Sequence, residues 1–488
     1  MLRQDEQVLA VMQEHESNAM KALKTSISHI AENIDRYRKQ PQHFTRKNKL
    51  PFEKLVKVML NMQGNCINAE LQETFPELSE RMTASAYVQA RDKLSLPVFE
   101  DLLSHYNQSA PKKLFNGKYR LYAIDGSDFT TPWNPQSAFV VDTNKKKDGE
   151  AVKPHCQIHA NIMYDIASRQ YMDCVLQPRN SWDERNAALK MISRLPKDNP
   201  FIIIMDRGYE SFNLIETLNR TENCHYVLRA RTNGIKEINY LPDEECDMEI
   251  AIPVTTSHTE YLNKRANGEP VYKINAPRRH IKENRSPKTR TQRWDFEDKC
   301  TIKFRIVKFL INDPDTGDDA WEILITNLSR FEFSIAQMKE LYHMRWGIET
   351  SFRDMKYSLG GMHFHSKKDE AVQMEIYAHL IMFNAVARNV IAAGEWEAAQ
   401  TEVAKQSVEN TENSAIKKAT KEDTKYPYAI DFKMACLSTR RFFRLHCNEP
   451  ITKLYEELLK YKQPIRQGRQ DERNIKPKSA VAFGYRVA

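Results

Sequence analysis

The chain has 488 residues, of which 41% are hydrophobic and 10% aromatic, so it is long and apolar enough to bury cores in two to four domains. No stretch approaches the roughly 20 apolar residues that a membrane-spanning helix needs, and the N-terminus lacks the apolar core of a signal peptide, which predicts a soluble, cytoplasmic protein without a membrane partner. The net charge is +8, and the eight cysteines are scattered without a CxxC pair, which argues against a disulfide framework or a zinc knuckle.

The basic residues are concentrated in three segments of the chain, 1–57, 277–308 and 453–488. The middle segment alone holds eleven Lys and Arg residues against four acids. Such segments attract polyanions, of which DNA and RNA are the commonest. A solvated, soluble surface is the alternative interpretation.

The first elements, over residues 1–112, are predicted to be mostly helical. Pro51 fits the first turn of a helix through FEKLVKVMLNM. The segment MTASAYVQARDKLS begins with a cap-like Thr83 and carries Gln89 and Arg91 as polar arms, which suits the second helix of a helix-turn-helix. An ordinary amphipathic surface helix fits the same pattern. We therefore predict a helical N-terminal DNA-binding region.

From residue 113 to residue 231 the pattern changes to short apolar runs separated by turns. A buried strand that ends in a turn is predicted for LYAIDGSDF, and two further strands for QIHANIMYDI and QYMDCVLQP. A helix is predicted for SWDERNAALKMISRL, a strand for FIIIM, a helix for SFNLIETLNR and a strand for CHYVLRAR. The predicted order is strand, strand, strand, helix, strand, helix, strand.

Residues 232–320 interrupt this order, because they are polar, contain several prolines and alternate with a strand period in TIKFRIVKF. We interpret them as a β-rich insertion. A strand, WEILITNL, opens the segment 321–395, and Ser334 with Gln337 forms a capping box that predicts one long helix ending at Gly360 and Gly361. Residues 396–488 are predicted to form a helical, basic C-terminal region.

Four polar side chains recur along the long predicted helix: Tyr342, Arg345, Glu349 and Lys356. At 100° per residue they fall within an arc of about 60° on one helix face. An ion-paired surface explains part of this pattern, since Arg345 and Glu349 are four residues apart. The functional alternative is a stripe that grips phosphates while Glu349 binds a metal ion.

Two aspartates, Asp125 and Asp206, are predicted at the ends of the strands LYAI and FIIIM. A carboxylate at the end of a buried strand costs free energy unless a partner compensates it. A cap or turn hydrogen bond is one such partner, and a divalent cation is the other. If the two strands are neighbours, both acids converge, and with Glu349 they would form an oxygen-rich site that suits Mg²⁺.

Asp128 and Asp183 are competing acids for the same role. Asp128 lies three residues beyond Asp125, so we expect it to cap a turn. Two metal ions about 4 Å apart could activate a water or a 3′-hydroxyl and stabilise the leaving oxygen of a phosphodiester.

The motifs YAIDG, MDRGYES and Y-x2-R-x3-E-x6-K, in this order, resemble the DDE transposases of bacterial insertion sequences. The spacing of the last motif is similar to the YREK signature of the insertion-sequence-four family. The resemblance covers about residues 80–390. It implies an α/β fold, in which an RNase H-like mixed-sheet core is interrupted by the β-rich insertion and flanked by the helical N-terminal and C-terminal regions.

The resemblance also implies roles for individual residues. Asp125, Asp206 and Glu349 would be the catalytic metal ligands for two Mg²⁺ ions, with Mn²⁺ able to substitute. The further residues implied to contact DNA are Tyr342, Arg345 and Lys356 on phosphates and Trp321 on a flipped base. Trp321 is otherwise a core aromatic, and Trp294, within the basic segment 277–308, is the second candidate for base stacking.

The implied reaction is cut-and-paste transposition. Water cuts one strand at each transposon end, the freed 3′-hydroxyl attacks the opposite strand to give a hairpin, a second water opens the hairpin, and the 3′-hydroxyl then attacks target DNA. Double-stranded DNA with terminal inverted repeats would be the partner, bound by at least a homodimer, in a bacterial cytoplasm and associated with the nucleoid.

Three alternative functions remain at this stage, of which a basic protein scaffold would leave the acid triad unexplained. An RNase H-like structure-selective nuclease would share the acid triad and would release ends without joining them. A DNA-binding regulator derived from a transposase would have no need for three converging carboxylates.

Overall fold

The computed structural model describes residues 19–46, 49–141, 154–231, 234–275, 293–312, 319–357, 363–409, 427–446 and 448–465. The predicted helix end at Gly360 and Gly361, residues 277–292 of the middle basic segment and the tail from residue 466 lie outside the described residues.

One mixed sheet of ten strands forms the centre of the described structure. The strands are β1 (Arg120–Thr131), β2 (Val140–Val141), β3 (His155–Asp165), β4 (Gln170–Pro178), β5 (Phe201–Met205), β6 (Cys224–Arg229), β7 (Cys246–Thr255), β8 (Tyr272–Lys273), β9 (Lys299–Asn312) and β10 (Asp319–Thr326). Their order is β2-β3-β1-β5-β6-β10-β9-β7-β8, and β4 also pairs with β3. β1, β5 and β6 are parallel, whereas β3, β4, β9 and β10 pair with their neighbours in antiparallel fashion.

The described residues also form thirteen α-helices, some packed on the sheet and others on one another. They are α1 (Ala19–Glu32), α2 (Phe52–Asn61), α3 (Ile67–Thr74), α4 (Ala84–Arg91), α5 (Pro97–Gln108), α6 (Glu184–Arg194), α7 (Phe212–Arg220), α8 (His258–Ala266), α9 (Ile335–His343), α10 (Trp346–Tyr357), α11 (Asp369–Glu409), α12 (Phe432–Arg441) and α13 (Ile451–Lys460). The mixed α/β class and the predicted order of strands and helices between β1 and β6 are confirmed, apart from the added two-residue strand β2.

Both faces of the sheet are buried, which explains why FIIIM is apolar throughout. Ile203 and Met205 of β5 pack with α6 and α7 on one face. Ile202 and Ile204 point the other way and pack with α9. A third core joins α1, α2, α5 and the C-terminal helices to α10, α11 and strands β3 and β4. A two-stranded sheet, β11 (Tyr428–Ile430) with β12 (Lys462–Pro464), adds to the helical C-terminal region.

The long helix α11 is apolar and long enough to cross a membrane, by length and composition alone. However, 83% of its most apolar window is buried, and it packs against α2, α5, α12 and α13. The expectation that no stretch approaches a membrane-spanning composition was therefore wrong for this helix. Its apolarity is explained by its position in the core, where it is covered by other helices.

The strands of segment 232–320 continue the main sheet, because β9 pairs with β10 and β10 pairs with β6. As predicted, Ile302, Phe304 and Ile306 alternate on the buried face of β9. On the other face Arg305 is also buried. Its guanidinium donates two hydrogen bonds of 2.8 Å to the carboxylate of Asp247 on β7.

Arg305→Ala should lower the free energy of unfolding by about 3–5 kcal/mol, because it removes the hydrogen-bonded partner of a largely buried carboxylate. The same guanidinium donates to the carbonyls of Leu328 (3.1 Å) and Phe333 (2.8 Å), which precede α9. Urea unfolding measures the effect. Lys303→Ala, on the same strand but exposed, is the control and should change stability by less than about 0.5 kcal/mol. Equal stability of the two variants would contradict the prediction.

Candidate active site

Asp125 and Asp206 lie side by side at one edge of the sheet. The parallel strands β1 and β5 are in register up to Ile124 and Met205, so the next residue on each strand is an aspartate. β5 ends there, and the Asp206 carboxylate caps the following turn, Arg207–Tyr209, by accepting from the Gly208 amide at 2.8 Å. The predicted convergence of these two positions therefore follows from the strand register.

The prediction that the first strand ends in a turn at Asp125 was wrong. β1 continues through Gly126 to Thr131, because β3 pairs with it as far as Thr131 and Cys156. Asp125 thus lies inside a strand but just beyond the last parallel pair with β5. Its carboxylate accepts a hydrogen bond from the Gly126 amide at 2.8 Å.

The helix that carries the third acid is also different from the prediction. The capping box of Ser334 and Gln337 is confirmed, but the helix ends at His343 and a second helix begins at Trp346. The predicted single face of four polar residues is therefore wrong. Tyr342 belongs to the first helix, where its side chain is 7% exposed and packs in the core under the sheet. Glu349 and Lys356 belong to the second helix.

Arg345, at the break between the two helices, joins the third acid to the first. One nitrogen of its guanidinium lies 2.6 Å from Glu349 Oε1, and the other lies 3.6 Å from Asp125 Oδ2. The arginine side chain is largely buried, whereas Glu349 is about one-third exposed. The break in the helix thus places a cation directly between two of the predicted metal ligands.

The charges at this edge affect one another. Burial raises the pKa of Asp125 to about 7, and the negative charges of Asp206 and Glu349 add to that rise. The Arg345 charge and the Gly126 amide oppose it. All three predicted ligands are therefore close enough to interact electrostatically, and the burial of Asp125 is the main reason that its charged form is disfavoured.

Lys356, on α10, contacts β1 a few residues beyond Asp125. Its ammonium donates to Ser127 Oγ at 2.7 Å and to the Asp128 carbonyl at 3.0 Å. The prediction that Asp128 caps a turn was wrong, because Asp128 lies within β1 and its carboxylate accepts a hydrogen bond from His159 Nδ1 at 2.7 Å. The competing acid Asp183 is the N-cap of α6.

The other predicted DNA contacts are scattered. Trp321 on β10 donates to Asp243 at 2.6 Å and lies under the Lys308 ammonium, 4.3 Å from the ring centre. Because side chains alternate along a strand, Trp321 and Glu322 lie on opposite faces of β10. The charge of Arg345 acts to lower the pKa of Glu322, so Glu322, and not Trp321, is on the side of the sheet near Arg345. Trp294 is half-buried beside α7 and donates to the Glu297 carbonyl. The structure does not bring either ring to the three acids.

The N-terminal candidates differ from each other in exposure. The cap by Thr83 is confirmed, since its side chain accepts from the Ala86 amide, and Gln89 is exposed on α4. Arg91 is 2% exposed, and its guanidinium points at Glu375 and the carbonyl of His365 on the C-terminal side of the chain. The prediction that Arg91 contacts DNA was wrong, because its guanidinium is buried and forms an ion pair with Glu375.

A family model for the transposase DDE domain matches residues 116–385, which is more than half of the chain and includes all three acids. The chain belongs to the DDE transposase family. It is 22% identical over 368 residues to the transposase InsG of insertion sequence element IS4 from Escherichia coli strain K12, and the match covers 72% of each protein. The cryo-EM structure of a piggyBac transposase synaptic complex with hairpin DNA is 10% identical, with a TM-score of 0.42 over 96% of this chain and 88% of the other. The predicted family and the predicted activity, cutting and joining DNA in transposition, are confirmed.

Sequence reasoning missed a polar cluster behind the aspartates of this transposase. Glu184, the first residue of α6, lies 3.2 Å from His159 Nε2. Burial lowers the pKa of His159, but hydrogen bonds and charges from Asp128 and Glu184 outweigh burial and raise it. No sequence spacing links these residues, because they come from three separate elements. The only signal was the acidic run DE that opens a helix in SWDERN.

The donor set at the sheet edge fits divalent cations in chemistry. DDE transposases act with divalent metal ions, and three carboxylates provide the hard oxygen ligands that Mg²⁺ and Mn²⁺ prefer. The raised pKa of Asp125 is the observation in this structure that supports the fit, since a nearby cation would relieve it. Among the described residues, no three Asp, Glu, His or Cys side chains are close enough together to hold a metal ion in this structure. Arg345 lies between Asp125 and Glu349.

Proposed function

We propose that Asp125, Asp206 and Glu349 hold two Mg²⁺ ions, replaceable by Mn²⁺, in the cut-and-paste reaction of this transposase. The observation that carries the proposal is the adjacency of the two aspartates at the register end of β1 and β5, with Glu349 joined to Asp125 through one guanidinium. When bound, the cations would lower the pKa of the attacking group and stabilise charge on the leaving oxygen.

The cationic residues around the acids suggest how the DNA strand is held. Arg345 compensates Asp125 and Glu349 when no metal is bound, so its guanidinium becomes available for a phosphate once cations take over that role. Lys356 lies next to Ser127, two residues from Asp125 on the same face of β1, where its ammonium can hold a second phosphate. Tyr342 supports Arg345 from the core side. These residues would orient the phosphodiester for in-line attack.

The strand order supports an RNase H-like core. Three antiparallel strands, β4, β3 and β1, are followed by the parallel strands β5 and β6, with α6 and α7 on one face. We propose that residues 113–231 and 321–395 form this core, that 232–320 form the insertion, and that 1–112 bind DNA with Gln89 on the exposed side of α4. Residues 396–488 complete the C-terminal region.

Hairpin chemistry and dimerisation are part of the same proposal. Coupled cleavage of two transposon ends requires at least two copies of the chain on the DNA. The basic segments 21–57 and 277–308 would hold the phosphate backbone. In the cell, this DNA binding would associate the transposase with the bacterial nucleoid.

The proposal is tested with a duplex that carries the element's own terminal inverted repeats, incubated with the full-length protein and Mg²⁺. Denaturing gels should show single-strand nicks, hairpin ends and then joining to a target plasmid. Release of free ends without joining would instead support a structure-selective nuclease. Binding without any cleavage would support a DNA-binding regulator.

Trp321→Ala should leave first-strand nicking unchanged and lower the yield of hairpin ends by about 10-fold or more, since stacking on one base contributes about 1–3 kcal/mol. The assay follows nicked and hairpin products with time. Trp133→Ala is the matched control, because this ring is also partly exposed but lies in the loop after β1. An unchanged hairpin yield would show that Trp321 only packs on β10.

A further inference from the structure

The carboxylate of Glu184 lies between the two chain segments that follow the catalytic aspartates. A methyl group placed on Gly126, the residue after Asp125, would lie 2.7 Å from Glu184 Oε1 and 2.6 Å from His159 Nε2. A methyl group on Gly208, in the turn after Asp206, would lie 3.2 Å from Glu184 Oε2. Each oxygen of the Glu184 carboxylate therefore faces one of the two segments. Any side chain at Gly126 would displace the Glu184 carboxylate.

Glu184 is held in this position by a chain of buried and half-buried polar groups. His159 Nε2 lies 3.2 Å from Glu184 Oε1, and the other ring nitrogen donates to Asp128 at 2.7 Å. Asp128 is fixed in turn by Arg179, 3.0 Å away. The histidine is only 5% exposed. The imidazole thus has one preferred orientation, and it directs Glu184 towards the strand.

The neighbouring residue on α6 holds the same turn from the other side. Arg185 donates to the Gly208 carbonyl at 3.2 Å, and Arg231 donates to that carbonyl at 2.8 Å and to the Arg207 carbonyl at 2.7 Å. The turn that carries Asp206 is therefore anchored through its backbone, at the start of α6.

We propose that Glu184 is a positioning residue, whose carboxylate fixes the spacing between the segments of Asp125 and Asp206 and so prepares the divalent-cation site. Glu184 lies on the face of β1 opposite to the Asp125 carboxylate. Successive positions of a strand alternate between its two faces, and Glu184 is on the face to which a side chain at Gly126 would point. Metal ligands must be placed to within about 0.2 Å, and loss of an outer partner typically weakens metal binding by about 10- to 100-fold. This inference rests on the proposed role of Asp125 and Asp206.

The test is a titration of the full-length, DNA-free protein with Mn²⁺. Binding is measured by calorimetry and by the loss of the electron paramagnetic resonance signal of free Mn²⁺. Glu184→Ala should weaken Mn²⁺ binding by about 10-fold or more. Glu184→Gln should remain within about 3-fold of the wild type, because the amide keeps the volume of the side chain and a polar contact with His159 Nε2. Glu222→Ala, which removes an exposed glutamate after α7, should bind as the wild type.

Further variants keep the test independent of folding and of the proposed function. His159→Asn retains a donor to Asp128 but loses the contact with Glu184, so it should weaken binding as Glu184→Ala does, even if the latter fails to fold. Asp206→Ala should abolish binding at this site. If Asp206→Ala loses Mn²⁺ and both Glu184→Ala and His159→Asn retain it, the positioning role is wrong. If Glu184→Gln is as weak as Glu184→Ala, the charge itself binds metal and the positioning role is again wrong. If Asp206→Ala binds normally, the proposed metal site fails.

Discussion

Replacing any one of Asp125, Asp206 and Glu349 by its amide should abolish DNA cleavage and preserve binding of the transposon ends. Asn or Gln keeps the volume of each side chain but removes the charge that we propose holds a divalent cation. Loss of metal assistance costs several kcal/mol of transition-state stabilisation, so cleavage should slow by about 10³-fold or more. The rate of first-strand nicking in Mg²⁺ measures the loss, and a gel-shift titration measures end binding.

Binding should survive because the carboxylates repel the phosphates that the basic residues attract, so their neutralisation does not weaken attraction to DNA. Asp198→Asn, an exposed aspartate near the start of β5, is the matched control and should nick at the wild-type rate. If one of the three variants nicks at a near wild-type rate, that residue is not a metal ligand. The assignment of the other two would stand on their own results.

The sequence was sufficient for the positions that depend on local pattern. Apolar runs that end in Asp predicted both β1 and β5, and a buried parallel pair in register brings Asp125 next to Asp206. The capping box at Ser334 was likewise a local signal. These features could be predicted because strand period, capping chemistry and turn residues act over a few neighbouring residues.

The features that the sequence did not reveal depend on distant partners. β1 passes through Asp125 and Gly126 because β3 supplies hydrogen bonds, and nothing in LYAIDGSDF indicates that partner. Arg91 is buried because Glu375, 284 residues away, compensates its charge. The helix break before Trp346 contains no proline, and the nearby Gly347 lies within the second helix. The break matters most, because it turns Arg345 towards Asp125.

Asp125→Asn should stabilise the metal-free protein at about pH 8, although it abolishes activity. Burial raises the pKa of Asp125 to about 7 in the folded chain, above the ordinary value of 3.8. Between these values the folded chain binds more protons than the unfolded chain, so the free energy of unfolding falls as pH rises from about 4 to about 7 and is then constant. Asparagine has no charge to desolvate, and the gain at about pH 8 should be on the order of a few kcal/mol.

Urea unfolding in a chelator at about pH 5 and about pH 8 measures this difference, which should grow with pH. Arg345 is not left without a partner in the variant, since Glu349 stays 2.6 Å away. Addition of Mn²⁺ should then reverse the order, because a ligand that binds only the folded state stabilises the wild type and not Asp125→Asn. If Asp125→Asn is no more stable than the wild type at about pH 8, burial of the Asp125 charge does not destabilise the folded chain and the prediction is wrong. Instability of this kind, relieved only by the metal, is what a site built for catalysis rather than for folding should show.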